Sequence, residues 1–250
     1  IGLAYIQPMT VFDTFGLVSE ASHQHVPTSY IIALIAILLT SLSYGSMIRR
    51  YPSAGSAYTY AQKSIHPNVG FMVGWSSWLD YLLSPLVNII LAVIYLEELF
   101  PDVNKWIWVF ILTGFMTWIN VHGSKVVAYF NSWIVFIQLL IIGVFTWLVY
   151  SKLMAGTNAD GTINAAAYQL WSLKPFWSDI ANMTALISGA TILCFSFTGF
   201  DSLSSLAEET KDVQKTLPKA IFLTALIAGI VFIISTYFMQ IYFPQTPDKY

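Results

Sequence analysis

The chain has 250 residues, 56% hydrophobic and 16% aromatic but only 10% charged, which is more apolar surface than one soluble core of this length can hide and assigns it to a membrane. Its single cysteine, Cys194, excludes a disulfide framework and a thiolate metal cluster, and four scattered histidines offer no metal-ligand spacing. A net charge of −2 without a basic, aromatic-laced patch argues against nucleic acid as a partner.

The chain opens on Ile1, inside an apolar stretch with no charged leader, which reads as a fragment lacking its natural N-terminus rather than as a signal peptide. Spanning a bilayer takes about 20 apolar residues per helix. On that ruler seven segments are expected, at 1–18, 29–48, 70–96, 106–121, 127–150, 180–206 and 220–243. Trp106, Trp108, Trp147, Tyr150, Tyr237 and Tyr242 sit at segment ends, where aromatic rings favour the interface. If the first segment runs from inside to outside, Arg49, Arg50, Lys63, Lys125, Lys211, Lys215 and Lys219 fall inside, against Lys105, Lys152, Lys174 and Lys249 outside. That agrees with the positive-inside rule and puts the N-terminus in the cytoplasm. The outer loops then carry Glu20, Glu97, Glu98, Asp102, Asp160, Asp179 and Asp248, either an acidic entrance that gathers cations or ordinary solvated loop charge.

In the first segment Pro8 removes a backbone donor and clashes with the preceding turn, so the helix is expected to kink or unwind between Gln7 and Thr10. Asp13 follows just beyond. Irregular backbone at this depth is tolerated where it is buried in protein or lines a cavity, and a plain proline kink is the alternative. The second segment reads as apolar scaffold, and the polar run 53–63 after it as a short helix against the inner face. The third opens with Gly70 and Gly74, a small-residue spacing that lets helices approach closely. Ser77, Asp80, Ser84 and Asn88, three or four residues apart, then draw one polar stripe along it, for a cavity or for a neighbouring helix, with Pro85 loosening one backbone bond. Segments four and five contain few ionisable residues, with Asn120, His122 and Gln138 the notable polar ones. The outer loop 151–179 is rich in Gly, Asn and Ala, and Asn182-Met183-Thr184 beyond it matches a glycosylation triplet by chance.

The sixth segment contains Cys194-Phe195-Ser196-Phe197-Thr198-Gly199-Phe200-Asp201-Ser202. Gly199 among bulky residues, with a carboxylate two positions on, marks either a helix opened to hold something or a packing notch beside a structurally paired acid. Segments one and six thus each join a break, at Pro8 and at Gly199, to an acid shortly after it. Such paired breaks point to a binding site built from two discontinuous helices of an internal repeat.

Tyr51-Pro52-Ser53-Ala54-Gly55-Ser56-Ala57-Tyr58-Thr59-Tyr60-Ala61, Gly70-Phe71-Met72-Val73-Gly74-Trp75, Phe197-Thr198-Gly199-Phe200-Asp201, Glu208-Glu209-Thr210-Lys211 and Pro218-Lys219-Ala220-Ile221 together resemble the amino acid, polyamine and organocation transporter family in order and spacing. The stretches from Pro8 to Gly16 and from Ala54 to Ser64 are most similar to its bacterial putrescine importers. The resemblance implies an all-α integral membrane protein with a LeuT-type fold of two inverted repeats, of which this chain covers about helices 1–7 of 12: the first repeat at 1–150, an extracellular loop at 151–179 and the start of the second repeat at 180–250. It also implies that the broken first and sixth helices form the substrate site, with Phe195 in the place of an aromatic gate and Asp201 in that of an acidic gate or substrate residue. Amino acid carriers of the family offer glycine amides to a carboxylate where this chain has Pro8, Met9 and Thr10. That departure makes a poorer anion nest and suits a substrate with no carboxylate.

Asp13, Asp80 and Asp201, with no intramembrane Lys or Arg to neutralise them, call for a cation, and a diamine supplies two charges. The expectation is a secondary transporter of the bacterial inner membrane that imports putrescine or a similar small diamine by alternating access. Asp201 is its main ammonium partner and Asp80 or Asp13 the second. Phe195 closes over the methylenes with a cation-π contribution, Thr10, Thr198 and Asn88 supply hydrogen bonds, and Met9 and Ser84 line the site. A proton carried through one of these acids is the expected coupling ion, with sodium as the other candidate, and neither a cofactor nor a metal is called for. A cationic amino acid carrier is the alternative within the class, and a polyamine-sensing receptor or a channel outside it. An enzyme is disfavoured, because no Ser/His/Asp set, metal cluster or nucleotide loop assembles from these residues.

Overall fold

A computed structural model describes residues 2–154, 172–178 and 182–243, apart from the side chains of Ser124 and Lys125. Most of the expected outer loop, with Asp160 and Asp179, lies outside these residues, as do Ile1, Asp248 and Lys249. The regular structure among the described residues is helical: α1 Gly2–Ile6, α2 Thr10–Ala21, α3 Val26–Arg50, α4 Ser56–Ser64, α5 Pro67–Leu99, α6 Lys105–Val121, α7 Ser124–Met154, α8 Met183–Leu193, two 3-10 segments at Cys194–Phe197 and Phe200–Glu209, and α9 Val213–Tyr242. Among the described residues five stretches are long and apolar enough to cross a membrane: Val26–Arg50, Pro67–Leu99, Val126–Met154, Met183–Glu209 and Val213–Tyr242. The chain is therefore that of an all-α, multi-pass membrane protein.

Two of the seven expected segments fall short of a full span. The first is divided by its proline into α1 and α2. The fourth, α6, is a 17-residue helix, bounded by Asn104, whose side chain accepts from the Trp106 amide at 3.0 Å, and by Gly123 at φ 92°. The seventh begins at Val213 rather than near residue 220, so Lys215 and Lys219 lie on the helix and not in a loop. The reason is that Pro218 is carried inside α9, where it forfeits one backbone bond without ending the helix.

The chain divides into two compact units, Ile1–Ala54 with Trp133–Tyr250, and Gly55–Ser132. In the first, α3 packs along α9 and α8 through small residues. A Cβ on Gly229 would lie 2.5 Å from Leu34, one on Gly189 2.7 Å from Ser29 Oγ, and one on Gly45 3.1 Å from Pro218. Ser29 Oγ also donates to the Leu186 carbonyl at 3.1 Å. Fully buried Tyr30, Phe197 and Phe232 form an aromatic cluster at its centre, with centroids 5.3 to 6.3 Å apart. Farther along, Thr28 Oγ1 donates to the Phe176 carbonyl at 2.5 Å, His25 Nε2 lies 2.9 Å from Ser178 Oγ, and Tyr237 donates to the Ser172 carbonyl at 3.1 Å, so the segment 172–178 is tied to α3 and α9. The triplet at Asn182 has a structural use: the Asn182 side chain caps α8 by accepting from the Thr184 amide at 3.0 Å.

In the second unit the polar run after the second segment forms α4, which lies against the start of α5. His66 caps α5 through Nδ1, and Pro67 fills the first turn, where a missing amide does no harm. Gly70 and Gly74 are the seam: a Cβ on Gly70 would stand 2.5 Å from Gln62 Cβ and 2.7 Å from its Cα, and one on Gly74 2.8 Å from the Tyr58 ring. The close approach expected of this spacing is made with the short helix α4. Helix α5 runs on through Pro85, with large apolar side chains such as Trp75, Trp78 and Leu82 exposed.

Candidate substrate site at two helix breaks

The first break separates α1 from α2. Gln7 takes φ 51°, a left-handed value uncommon outside glycine, and buried Pro8 follows it. The proline ring disfavours helical backbone at Gln7 and brings no amide of its own. The Thr10 amide and Thr10 Oγ1 both donate to the Gln7 carbonyl at 3.0 Å, and the Phe12 amide donates to the Met9 carbonyl at 3.0 Å. Local turn bonds therefore use two of the amides nearest the break. Asp13 stands exposed in the first turn of α2, where the helix dipole favours a carboxylate.

The second break separates α8 from the chain that follows. A 3-10 turn, Cys194–Phe197, leads into Thr198 at φ −55°, ψ 137° and Gly199 at φ 97°, ψ −8°. These are type II turn angles, and the second central position of that turn calls for glycine. The chain then runs as 3-10 helix for 10 residues, Phe200–Glu209, although such runs seldom exceed three or four. The Ser202 amide donates to the Gly199 carbonyl at 3.1 Å, and Ser204 Oγ to the Asp201 carbonyl at 2.6 Å, fixing the backbone around Asp201.

The two breaks touch. A Cβ on Gly199 would lie 2.7 Å from the Tyr5 carbonyl oxygen and 3.0 Å from its carbon, so the turn rests on the backbone at the end of α1. Only glycine permits both that approach and that φ. Beneath them runs a buried chain of hydroxyls. Thr14 Oγ1 donates to the Thr10 carbonyl at 2.9 Å and lies 3.4 Å from the Tyr30 hydroxyl, which donates to Ser196 Oγ at 3.3 Å. With Tyr30 and Ser196 at 0% exposure, this chain links the helix after the first break to the 3-10 turn before the second, through α3. About four turns farther along α3, the Tyr44 hydroxyl donates to Asp201 Oδ2 at 3.3 Å and its ring meets Phe200 edge-on at 5.7 Å.

The sequence-predicted residues fall into two sets. Pro8, Met9, Thr10 and Asp13 at the first break, and Phe195, Thr198, Gly199 and Asp201 at the second, lie in one unit. Met9, Thr10 and Asp201 are half-buried, Asp13 and Thr198 are exposed, and the Phe195 ring is 70% exposed while Phe197 and Phe200 pack inward. Asp80, Ser84 and Asn88 lie on α5 in the other unit. There Ser84 Oγ donates to Asp80 Oδ1 at 3.1 Å and Asn88 Nδ2 to the Ser84 carbonyl at 2.9 Å, so the stripe is bonded along its own helix. Among the described residues no three His, Cys, Asp or Glu side chains gather as a metal site would require. Sequence reasoning passed over Thr14, Tyr30, Tyr44 and Ser196. The available signal was that Tyr30 and Tyr44, 14 residues apart, share one face of an apolar helix, where each hydroxyl must find a partner.

Comparison with known proteins bears on what such a site serves. Residues 4–249 match the family described as amino acid permease. The chain is 58% identical over 245 residues to the low-affinity putrescine importer PlaP of Escherichia coli (strain K12), which covers 98% of this chain and 52% of that protein. It is 27% identical over 222 residues to the amino-acid permease RocE of Bacillus subtilis (strain 168), covering 87% and 46%. It is 26% identical over 209 residues to the lysine-specific permease LysP of Escherichia coli (strain K12), covering 82% and 41%. The chain thus spans about half the length of the curated relatives it matches. No solved structure matches it.

Proposed function

Because this chain belongs to the amino acid permease family, we propose that the full-length protein is a secondary transporter of the inner membrane that imports putrescine or a similar small diamine by alternating access, coupled to protons. The observation that carries this is the contact of the two breaks, where the Gly199 turn rests on the Tyr5 carbonyl two residues before Asp201. Paired helix breaks, where backbone is freed from helical bonding, are where transporters built from internal repeats hold substrate and coupling ions. The cationic charge of the substrate is supported by Asp201, with Asp13 as the second ammonium partner within the same unit.

The lack of a carboxylate on the substrate is supported by the first break. Pro8 has no amide, and the Thr10 and Phe12 amides already serve backbone carbonyls, so three of the five positions 8–12 offer no free amide to an anion. The name of the relative at 58% identity, a putrescine importer, agrees with both points. In this arrangement Phe195 closes over the methylene chain, while Met9, Thr10 and Thr198 complete the lining. A proton that enters with the diamine, carried through one of these acids, couples import to the gradient, and the N-terminus lies on the cytoplasmic side.

The test is uptake of labelled putrescine by the full-length protein in proteoliposomes, with and without an imposed proton gradient and with excess arginine as competitor. Saturable, gradient-driven uptake that arginine barely reduces is the expected result. Transport of arginine in preference to putrescine would overturn the diamine assignment, and binding without flux would replace the transporter by a receptor.

A further inference from the structure

To hold an ammonium group, Asp201 must be aimed as well as charged. A carboxylate on a 3-10 segment swings about two side-chain torsions, and an ammonium that must first order it binds more weakly. The structure supplies a restraint from another helix. The Tyr44 hydroxyl donates to Asp201 Oδ2 at 3.3 Å, 157 residues away in sequence, while the Tyr44 ring is held edge-on against Phe200 at 5.7 Å. The backbone beneath Tyr44 is itself seated, since Gly45 is buried against Pro218 of α9, where a Cβ would lie 3.1 Å from the proline Cβ. From the other side, Ser204 Oγ fixes the Asp201 carbonyl at 2.6 Å.

The chemistry of the donor matters. A lysine or arginine in this place would satisfy Asp201 as a charge and compete with a cationic substrate. A tyrosine is a neutral donor that engages one oxygen and leaves the negative charge in place. We propose that Tyr44 is a positioning residue for the substrate: its hydrogen bond to Oδ2 holds the Asp201 carboxylate with Oδ1 presented to an ammonium group. This rests on the diamine-transport reading of the same site and adds the residue that sets its affinity. Tyr44 orders the carboxylate before the substrate arrives, so its hydroxyl acts on binding and leaves the rate of the loaded transporter alone.

The experiment uses the full-length protein, as parent and as Tyr44→Phe, which keeps the ring packed on Phe200 and removes the hydroxyl alone. Initial rates of labelled putrescine uptake are measured in proteoliposomes, with the Kd for putrescine and the thermal unfolding midpoint of the purified proteins alongside. Ordering one freed side chain corresponds to a KM and Kd about three- to tenfold higher, with the maximal rate within about twofold of the parent and an unchanged midpoint. KM unchanged or lowered in Tyr44→Phe, or a maximal rate that falls while KM stays fixed, overturns the assignment, the latter in favour of a purely structural tyrosine. If Tyr44→Phe does not fold, Tyr44→Trp, which keeps an aromatic ring but misplaces the donor, must show the same rise in KM. A parent that carries no putrescine overturns the transport reading and this inference with it. A parent that carries it while the variant matches it overturns this inference alone.

Discussion

Replacing Gly199 by alanine adds one methyl group at the point where the two breaks meet. Gly199 has φ 97°, outside the range an L-residue adopts freely, and holding alanine in left-handed backbone costs about 1–2 kcal/mol. The new Cβ would stand 2.7 Å from the Tyr5 carbonyl oxygen, 3.0 Å from its carbon and 3.1 Å from its Cβ. The nearest obstacles are backbone atoms, which cannot swing aside as the end of a long side chain can. Overpacking of this kind adds about 1–3 kcal/mol, so a total of roughly 2–5 kcal/mol is expected. Gly143 is the internal control. It lies in the middle of α7 with nothing within 4 Å of an added Cβ, and Gly143→Ala is expected to be neutral or to stabilise by up to about 1 kcal/mol. Denaturant or thermal unfolding of both variants in the same detergent measures the difference. Equal stability of Gly199→Ala and Gly143→Ala would refute the contact between the breaks.

Two further substitutions probe the frame around the site. Tyr30→Phe keeps the ring against Phe197 and Phe232 but removes the hydroxyl between Thr14 and Ser196, and is expected to lower stability by about 1–2 kcal/mol; an unchanged unfolding midpoint would show that the hydroxyls do not bond. Gly70→Val places a branched side chain against the Gln62 backbone, so amide hydrogen exchange across Ser56–Ser64 is expected to rise as α4 lifts from α5, while exchange in α3 stays at the parent rate. Protection of α4 equal to that of the parent would refute the seam.

Much of the fold was legible because lipid imposes a simple grammar. Apolar runs of spanning length must satisfy their backbone as helices, and Pro8 and Gly199 announce the places where that rule is suspended. Helix ends were less legible. The last segment is expected from residue 220, yet α9 begins at Val213, because a long packed helix carries the one bond missing at Pro218 without breaking. Gly70 and Gly74 were read correctly as a close approach, but their partner, the short polar helix α4, was not evident from spacing. At the site, the residues whose types advertise chemistry were visible: Asp13, Asp201 and the residues at the breaks. Those that connect them were not, since Tyr30 and Ser196 are 166 residues apart and each alone looks like filling in an apolar helix. Phe195, Phe197 and Phe200 were likewise indistinguishable in sequence, and it is the 3-10 geometry that turns the last two inward and leaves Phe195 exposed.

The most direct measurement is uptake of labelled putrescine by the full-length protein and its Asp201→Asn variant, reconstituted at equal density. Asparagine keeps the shape and removes the charge proposed to face the ammonium group. Losing one partner of a partly buried ion pair costs about 3–5 kcal/mol, so the account predicts a fall in kcat/KM of about a hundredfold or more, with membrane insertion unchanged. An Asp201→Asn variant that carries putrescine as the parent does would contradict it.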